Sequence, residues 1–271
     1  MVDMSTQGHT TELFPTPTPD TDLLAVLRAD LARAQYTADG IEDLLSAPAR
    51  TALERENPLP ARRELDPLAD QGNAAATLMR LFTLGRTTTR TELDRALPNL
   101  DTDGLLALGL VAPAEGTGSD ATSAFAATVD LRPYQATDDF GEILWWIVSD
   151  LGELATGRAL DGEHVLGIGG ATSTLISITP RDKVARALDL GTGCGIQALH
   201  AARHAQHVVA TDISERALAI TEFNVALNRE TLPEGHTIET RQGSMLEPVA
   251  GETFDLIVSN PPFVITPRVK D

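Results

Sequence analysis

The chain contains a single cysteine, Cys194, so no disulfide can form within it. A reducing, cytoplasmic setting follows as the default expectation. No stretch of 18 or more uncharged apolar residues occurs, which excludes a membrane-spanning helix by length. A basic segment followed by an apolar one is missing from the N-terminus, so no secretory signal is read there. Aromatic residues make up only 4% against 42% hydrophobic overall, which leaves aliphatic side chains to build the core. Blocks of basic residues are lacking too. The formal net charge is −18, with −10 carried by residues 1–130 and −8 by residues 131–271. General attraction to a nucleic-acid backbone is not supported, because it needs Lys and Arg to neutralise phosphates. The length of 271 residues leaves room for two ordinary domains.

What is present centres on Ala187 to Leu199, Ala-Leu-Asp-Leu-Gly-Thr-Gly-Cys-Gly-Ile-Gln-Ala-Leu. It predicts a short buried strand closed by Asp189, a turn through Gly191, Thr192, Gly193 and Gly195, and the start of a helix. Glycines suit a turn that needs positive φ and close approach of a ligand. The helix N-terminus beyond the turn is expected to offer free N–H groups to that ligand. The spacing differs from the dinucleotide pattern G-x-G-x-x-G, since position 196 is Ile. A second strand, His207 to Ile213, ends in Asp212, twenty-three residues after Asp189. A carboxylate there can accept both hydroxyls of a ribose, although Asp212 or Ser214 could instead cap the following helix. The segment Phe254 to Ser259 predicts an apolar strand, followed by Asn260-Pro261-Pro262-Phe263. The prolines stiffen that turn and withhold two donors, Asn260 adds a side-chain acceptor, and Phe263 adds a flat apolar face. Together they suit a planar group bearing an NH2.

Asp-x-Gly-x-Gly-x-Gly at Asp189 to Gly195 resembles motif I of the class I S-adenosylmethionine-dependent methyltransferases, and Asn260 to Phe263 resembles their motif IV. Motif IV of this form marks the members that modify amide or exocyclic amino nitrogens. The resemblance covers about residues 131–268 and implies a Rossmann-like α/β sheet with S-adenosylmethionine as cofactor. It implies that Asp189 bounds the cofactor pocket, that Asp212 with Ile213 holds the ribose end, and that Asn260, Pro261, Pro262 and Phe263 receive the acceptor nitrogen. In that family an acid commonly follows the glycine after the third strand. Here Gly243 is followed by Ser244, a weaker acceptor for an adenine amino group. The segment before motif I often lines the active site, which brings in Thr172 and Ser173. Motif IV ends the fourth of seven strands, so the chain resembles a methyltransferase domain incomplete at its C-terminus. An exposed fourth strand is then expected to make the chain self-associate and bind cofactor weakly.

Ahead of this domain, residues 1–19 are polar and proline-rich and are expected to form a disordered lead-in. Residues 20–130 predict a mostly helical domain and residues 131–271 the methyltransferase domain. Helices are expected over Asp22–Gln35, from Thr37 through Leu45, over Ala49–Glu56 (stopped by Pro58 and Pro60), and over Asn73–Leu84. Thr89 to Glu92 forms a capping box for a helix to Leu97, and Asp101 or Thr102 caps Asp103–Leu108. Two strands, Leu110–Val111 and Ala124–Leu131, then flank an exposed loop. That order suggests a winged-helix-like unit, yet its reading helix is acidic and apolar where a DNA reader carries Arg, Lys, Asn or Gln. A scaffold or substrate-docking role is the expectation. If Glu142–Val148 is a strand, Trp145 and Trp146 point to opposite faces. His200, His204 and His207 lack the carboxylate or cysteine that would complete a metal set, and they read as solvated or helix-end residues.

These readings converge on methyl transfer to a planar nitrogen of a macromolecule, with no metal and no membrane. The acceptor read first is a base amine in ribosomal or transfer RNA, since Phe263 ends motif IV. A glutamine amide in a translation-related protein is the alternative and better suits the acidic composition. A non-catalytic scaffold that keeps the fold is the third.

Overall fold

The computed structural model describes residues 15–114, 123–157, 160 and 163–261. The first helices are α1 (Thr21–Arg33), α2 (Ala38–Glu42), α3 (Ala47–Glu54) and α4 (Leu59–Asp70). Asp20 caps α1 by accepting from the amides of Asp22 and Leu23, and Leu24, Leu27 and Leu31 form its buried stripe. Thr37 caps α2 and Ser46 caps α3. The sequence reading stops at Pro58 and Pro60, but Pro60 lies in the first turn of α4, where its missing N–H costs no helical bond. Helix α4 also runs through Pro67, with Ala61, Leu65 and Ala69 buried. Residues 15–19 are also ordered, contrary to expectation. Pro17 is buried, and the Thr18 amide donates to the Leu108 carbonyl at 3.1 Å. Residues 1–14 lie outside the described residues.

Helix α5 (Ala74–Leu78) continues into a π-helical turn, Met79–Thr83. Next come β1 (Thr88–Thr89), α6 (Arg90–Ala96), α7 (Asp101–Ala107), β2 (Val111–Pro113) and β3 (Ala124–Ala127). The strands form an antiparallel sheet ordered β1-β3-β2. The capping box at α6 is present, with the Glu92 amide bonding Thr89 Oγ1 at 3.3 Å and the Thr89 amide bonding Glu92 Oε2 at 2.8 Å. Asp101 has φ +58° and its carboxylate caps α7 through the amides of Asp103 and Gly104. Gly104 lets α7 sit on Leu100, whose side chain would lie 2.6 Å from an added Cβ.

Strands β4 (Asp130–Asp138) and β5 (Gly141–Ser149) form an antiparallel hairpin paired from Asp130↔Ser149 to Asp138↔Gly141. Trp145 is buried beneath it, stacked on Tyr134 and edge-on to His200, and its Nε1 donates to Thr231. Trp146 faces the other way and donates to the Tyr36 carbonyl at 2.7 Å. After α8 (Glu153–Thr156) and α9 (Gly170–Ile178), the chain enters a parallel sheet. Its elements are β6 (Val184–Leu190), α10 (Ile196–Ala201), β7 (Ala205–Asp212), α11 (Glu215–Leu227), β8 (Thr237–Gln242) and β9 (Leu256–Ser259). The strand order is β8-β7-β6-β9, all parallel. Ala187, Leu188, Val208, Val209 and Ala210 are fully buried, as expected for strands covered on both faces. Among the described residues no strand pairs with the outer side of β9.

Two asparagines one turn apart, Asn224 on α11 and Asn228 at its C-cap, hold the hairpin against this sheet. Asn224 exchanges bonds with the Val148 amide and carbonyl at 2.8 Å each, and Asn228 does the same with Trp146 at 3.1 and 2.8 Å. Their carboxamides satisfy the edge of β5 as another strand would. Asn224 also donates to the Cys194 carbonyl, which ties the hairpin to the glycine turn.

Candidate functional site

The turn after β6 has the conformation its glycines allow. Gly191, Gly193 and Gly195 have φ of +73°, +57° and +78°. A Cβ added to Gly191 or Gly193 would meet open space, so these two leave room for a ligand against the backbone. Gly195 differs, because a Cβ there would lie 2.8 Å from the Thr221 side chain of α11. Its absence of side chain serves packing.

The amides of the turn itself are taken up within the protein. The amides of Gly191 and Thr192 both donate to the Thr211 carbonyl at 2.9 Å, and the Gly193 amide donates to Asp212 Oδ2 at 3.0 Å. The Gly195 amide bonds Thr192 within the turn. These donors hold the loop to β7, since a turn this tight leaves its amides nearest to protein acceptors. What faces outward is glycine backbone and open volume.

Asp189 is 1% exposed, and its Oδ2 accepts the Thr192 hydroxyl at 2.7 Å. Oδ1 is buried with no hydrogen-bond partner among the described residues. Burial pushes this carboxyl up to about 6, opposed by the Thr192 hydroxyl and the Ala198 amide and reinforced by the charge of Asp212. Cys194 is a buried thiol pushed up to about 11 by desolvation, a small inert side chain in the turn.

Asp212 closes β7 and does not cap α11. That position belongs to Ser214, whose hydroxyl accepts the Ala217 amide, while Asp212 Oδ1 accepts the Ser214 amide at 3.0 Å. Each Asp212 oxygen thus has one protein donor and keeps acceptor capacity. The neighbouring Ile213 is 70% exposed, an apolar side chain standing at the mouth of the site. At the end of β8, Gly243 bonds the Asp212 carbonyl, and Pro248 at 2.5 Å leaves no room for a Cβ. Ser244 is exposed beside it.

Strand β9 runs beside β6, pairing Asp189↔Val258 and Leu190↔Ser259, so Asn260 emerges next to the glycine turn. Ser259 Oγ donates to the Leu190 carbonyl at 2.8 Å and fixes that exit. Asn260 Nδ2 donates to Thr172 Oγ1 at 3.0 Å. Of the two residues suggested ahead of motif I, Thr172 therefore joins the site. Ser173 is exposed, and its hydroxyl turns back to the Gly169 carbonyl of its own helix. Pro261 is described and exposed, whereas Pro262 and Phe263 lie outside the described residues. Sequence reasoning missed Gln197, a buried amide on α10 that donates to the Thr172 carbonyl at 3.1 Å. A polar residue on the otherwise apolar face after the glycine turn was the available signal.

His200 in the last turn of α10 and His204 just past its end are buried helix-end residues, whereas His207 is partly exposed. His200 is buried with its Nε2 2.9 Å from the Tyr134 hydroxyl, and desolvation lowers it to about 4. His204 is buried, bonded to the Asp182 carbonyl and stacked on Phe140. His207 lies within β7 rather than at a helix end, and bonds Thr237. Among the described residues, no group of three potential metal ligands comes together.

The comparisons agree with this geometry. Residues 167–270 match the model of the "Methyltransferase small domain", and residues 33–122 match a "Domain of unknown function (DUF7059)". Residues 167–270 thus resemble a small methyltransferase domain. Among curated relatives, a ribosomal protein L11 methyltransferase from Lactobacillus gasseri is 35% identical over 37% of this chain and 32% of its own length. A release factor glutamine methyltransferase from Enterococcus faecalis is 42% identical over 28% of this chain and 26% of its own. The chain thus spans about a third or less of the length of the curated relatives it matches. A solved 16S rRNA N2 methyltransferase from T. Thermophilus, in complex with AdoMet and guanosine, is 17% identical over 72% of this chain and 52% of that one. Its TM-score of 0.33 adds no weight.

The methyltransferase domain has features that suit the cofactor its family implies. The cradle at Gly191 and Gly193 would be filled by any side chain, and the buried Asp189 Oδ1 lacks a partner among the described residues. Both fit a ligand that lies on glycine backbone and carries positive charge. The Rossmann-like sheet also brings Asp189, the glycine turn, Asp212 and Asn260 to the C-terminal ends of adjacent strands, the usual place for a ligand in such sheets.

Proposed function

We propose that the chain transfers a methyl group from S-adenosylmethionine to the planar nitrogen of a carboxamide in a translation-associated protein. Bound S-adenosylmethionine would supply a methyl group activated on a cationic sulfur. Gly191, Thr192 and Gly193 would cradle it, with Gly195 packing the turn on α11, Asp189 bounding the pocket, Asp212 accepting ribose hydroxyls, and Ile213, Gly243 and Ser244 flanking the base. The amide nitrogen is a poor nucleophile because its lone pair is delocalised. Asn260 Oδ1 and the Pro261 carbonyl would accept its two N–H hydrogens and favour the geometry in which that pair is available. Orientation beside a desolvated electrophile supplies the rate, so no dedicated general base is required. Pro262 and Phe263 would complete the seat.

The observation that carries this reading is the place of Asn260, at the end of β9 and beside the glycine turn on β6. The acidic composition favours a protein over RNA. So does α7, where Thr102, Gly104 and Leu105 are buried and exposed Asp103 pairs with Arg90 at 2.9 Å. A base amine in ribosomal or transfer RNA is the second reading, supported by Phe263 at the last motif position. Tritiated S-adenosylmethionine incubated with the protein and a ribosome-containing extract separates them. Label is expected in protein, resistant to ribonuclease and removed by protease. Ribonuclease-sensitive label would move the acceptor to RNA, and cofactor binding without any labelled macromolecule would favour a scaffold.

A further inference from the structure

A carboxamide has two nearly isosteric ends, and only its oxygen can accept from an acceptor nitrogen's N–H. A turned Asn260 would present donors to a donor. The side chain therefore serves only while it is held with Oδ1 toward that nitrogen. Asn260 Nδ2 donates to Thr172 Oγ1 at 3.0 Å, across 88 residues of sequence. Oδ1 takes no hydrogen bond among the described residues. Thr172 sits in the first turn of α9 at 8% exposure, and the Gln197 amide fixes its carbonyl from α10. Gln197 in turn lies immediately beyond the glycine turn. The hydroxyl that meets Asn260 is thus held by two elements that do not belong to β9.

We propose that Thr172 is a positioning residue, binding the amide nitrogen of Asn260 so that Oδ1 is turned toward the acceptor nitrogen. This rests on the role given to Asn260 above. Threonine suits the task because its branched Cβ restricts χ1, which fixes the hydroxyl more tightly than serine would. Valine has the same shape and removes only the hydroxyl, leaving Nδ2 without its partner.

The test uses the full-length protein with Thr172→Val, Thr172→Ser, Asn260→Ala and the Thr172→Val/Asn260→Ala double variant. Nitrogen–proton NMR reads the Asn260 side-chain amide, identified by its loss in Asn260→Ala. In Thr172→Val its two proton shifts should move toward those of a solvated asparagine and exchange faster with water, while Thr172→Ser keeps them. Methyl transfer into ribonuclease-treated extract is the second readout. Thr172→Val should lower kcat about tenfold with KM for S-adenosylmethionine unchanged, Thr172→Ser should recover most of it, and Thr172→Val should add nothing once Asn260 is alanine. Unchanged amide resonances in Thr172→Val would overturn the contact. Equal losses in the valine and serine variants, or a full valine effect in the Asn260→Ala background, would overturn the positioning role. Wild-type turnover by Asn260→Ala alone would overturn the role of Asn260, and with it that of Thr172, while the NMR result would still report the contact.

Discussion

At the scale of single residues, Asp189 combines full burial, one oxygen bonded to Thr192 and one without a hydrogen-bond partner among the described residues. Its carboxyl titrates near 6 in the fold against an ordinary 3.8, so the folded chain holds that proton more tightly than the unfolded one. The stability it contributes is full below the ordinary value and is lost as pH rises through about 6. Asp189→Asn removes this dependence. Relative to wild type the variant should gain up to about 3 kcal/mol between pH 4 and pH 7 without cofactor, read from urea midpoints across that range. Parallel pH profiles for the two proteins would show that Asp189 is ionised in the fold. The position of this residue was legible, because a strand ending in Asp before spaced glycines has few other uses. The Thr172–Asn260–Gln197 chain was legible only in part. Thr172 and Asn260 each stood out, but a bond across 88 residues depends on which strands become neighbours, and no local pattern encodes that.

At the scale of elements, capping and periodicity read well where one chemical device decides the outcome. Thr37 and Thr89 stand at the helix starts as expected, and β6, β7 and β9 of the parallel sheet fall where apolar runs end in polar residues. Helix α4 was missed because Pro58 and Pro60 read as a stop, although a proline in a first turn opens a helix equally well. The docking of the hairpin was missed for a different reason. Asn224 and Asn228 look like polar residues of an amphipathic helix, yet both are buried and serve the free edge of β5. Asn224→Ala leaves the Val148 amide and carbonyl and the Cys194 carbonyl without their side-chain partner. It should cost about 2–4 kcal/mol and flatten the near-ultraviolet circular dichroism of Trp145 and Trp146. A loss below about 0.5 kcal/mol would mean that water or a rearranged strand replaces the asparagine.

At the scale of the whole molecule, the helical N-terminal part and the methyltransferase domain share one continuous core, with the hairpin between them. Arg28 of α1 bonds the Leu227 carbonyl of α11 and pairs with Glu230, and buried Arg203 pairs with Asp138 at the hairpin turn. Helix α7 carries Asp101 and Asp103 in its first turn, and we propose that this part presents the acceptor protein to the site. The acidic balance was readable from composition, because charge is additive along a chain. The shared core was not, because it depends on packing between distant segments. The central claim is methyl transfer to nitrogen through Asn260. Its most direct measurement locates the transferred methyl group by mass spectrometry of the acceptor, comparing the wild-type protein with Asn260→Ala. The account predicts N-methylated carboxamide with the wild-type protein and a loss of at least about a hundredfold with the variant, in the range for removing one aligned polar group from a transition state. Methyl on carbon, oxygen or sulfur, or undiminished methylation by Asn260→Ala, would contradict it.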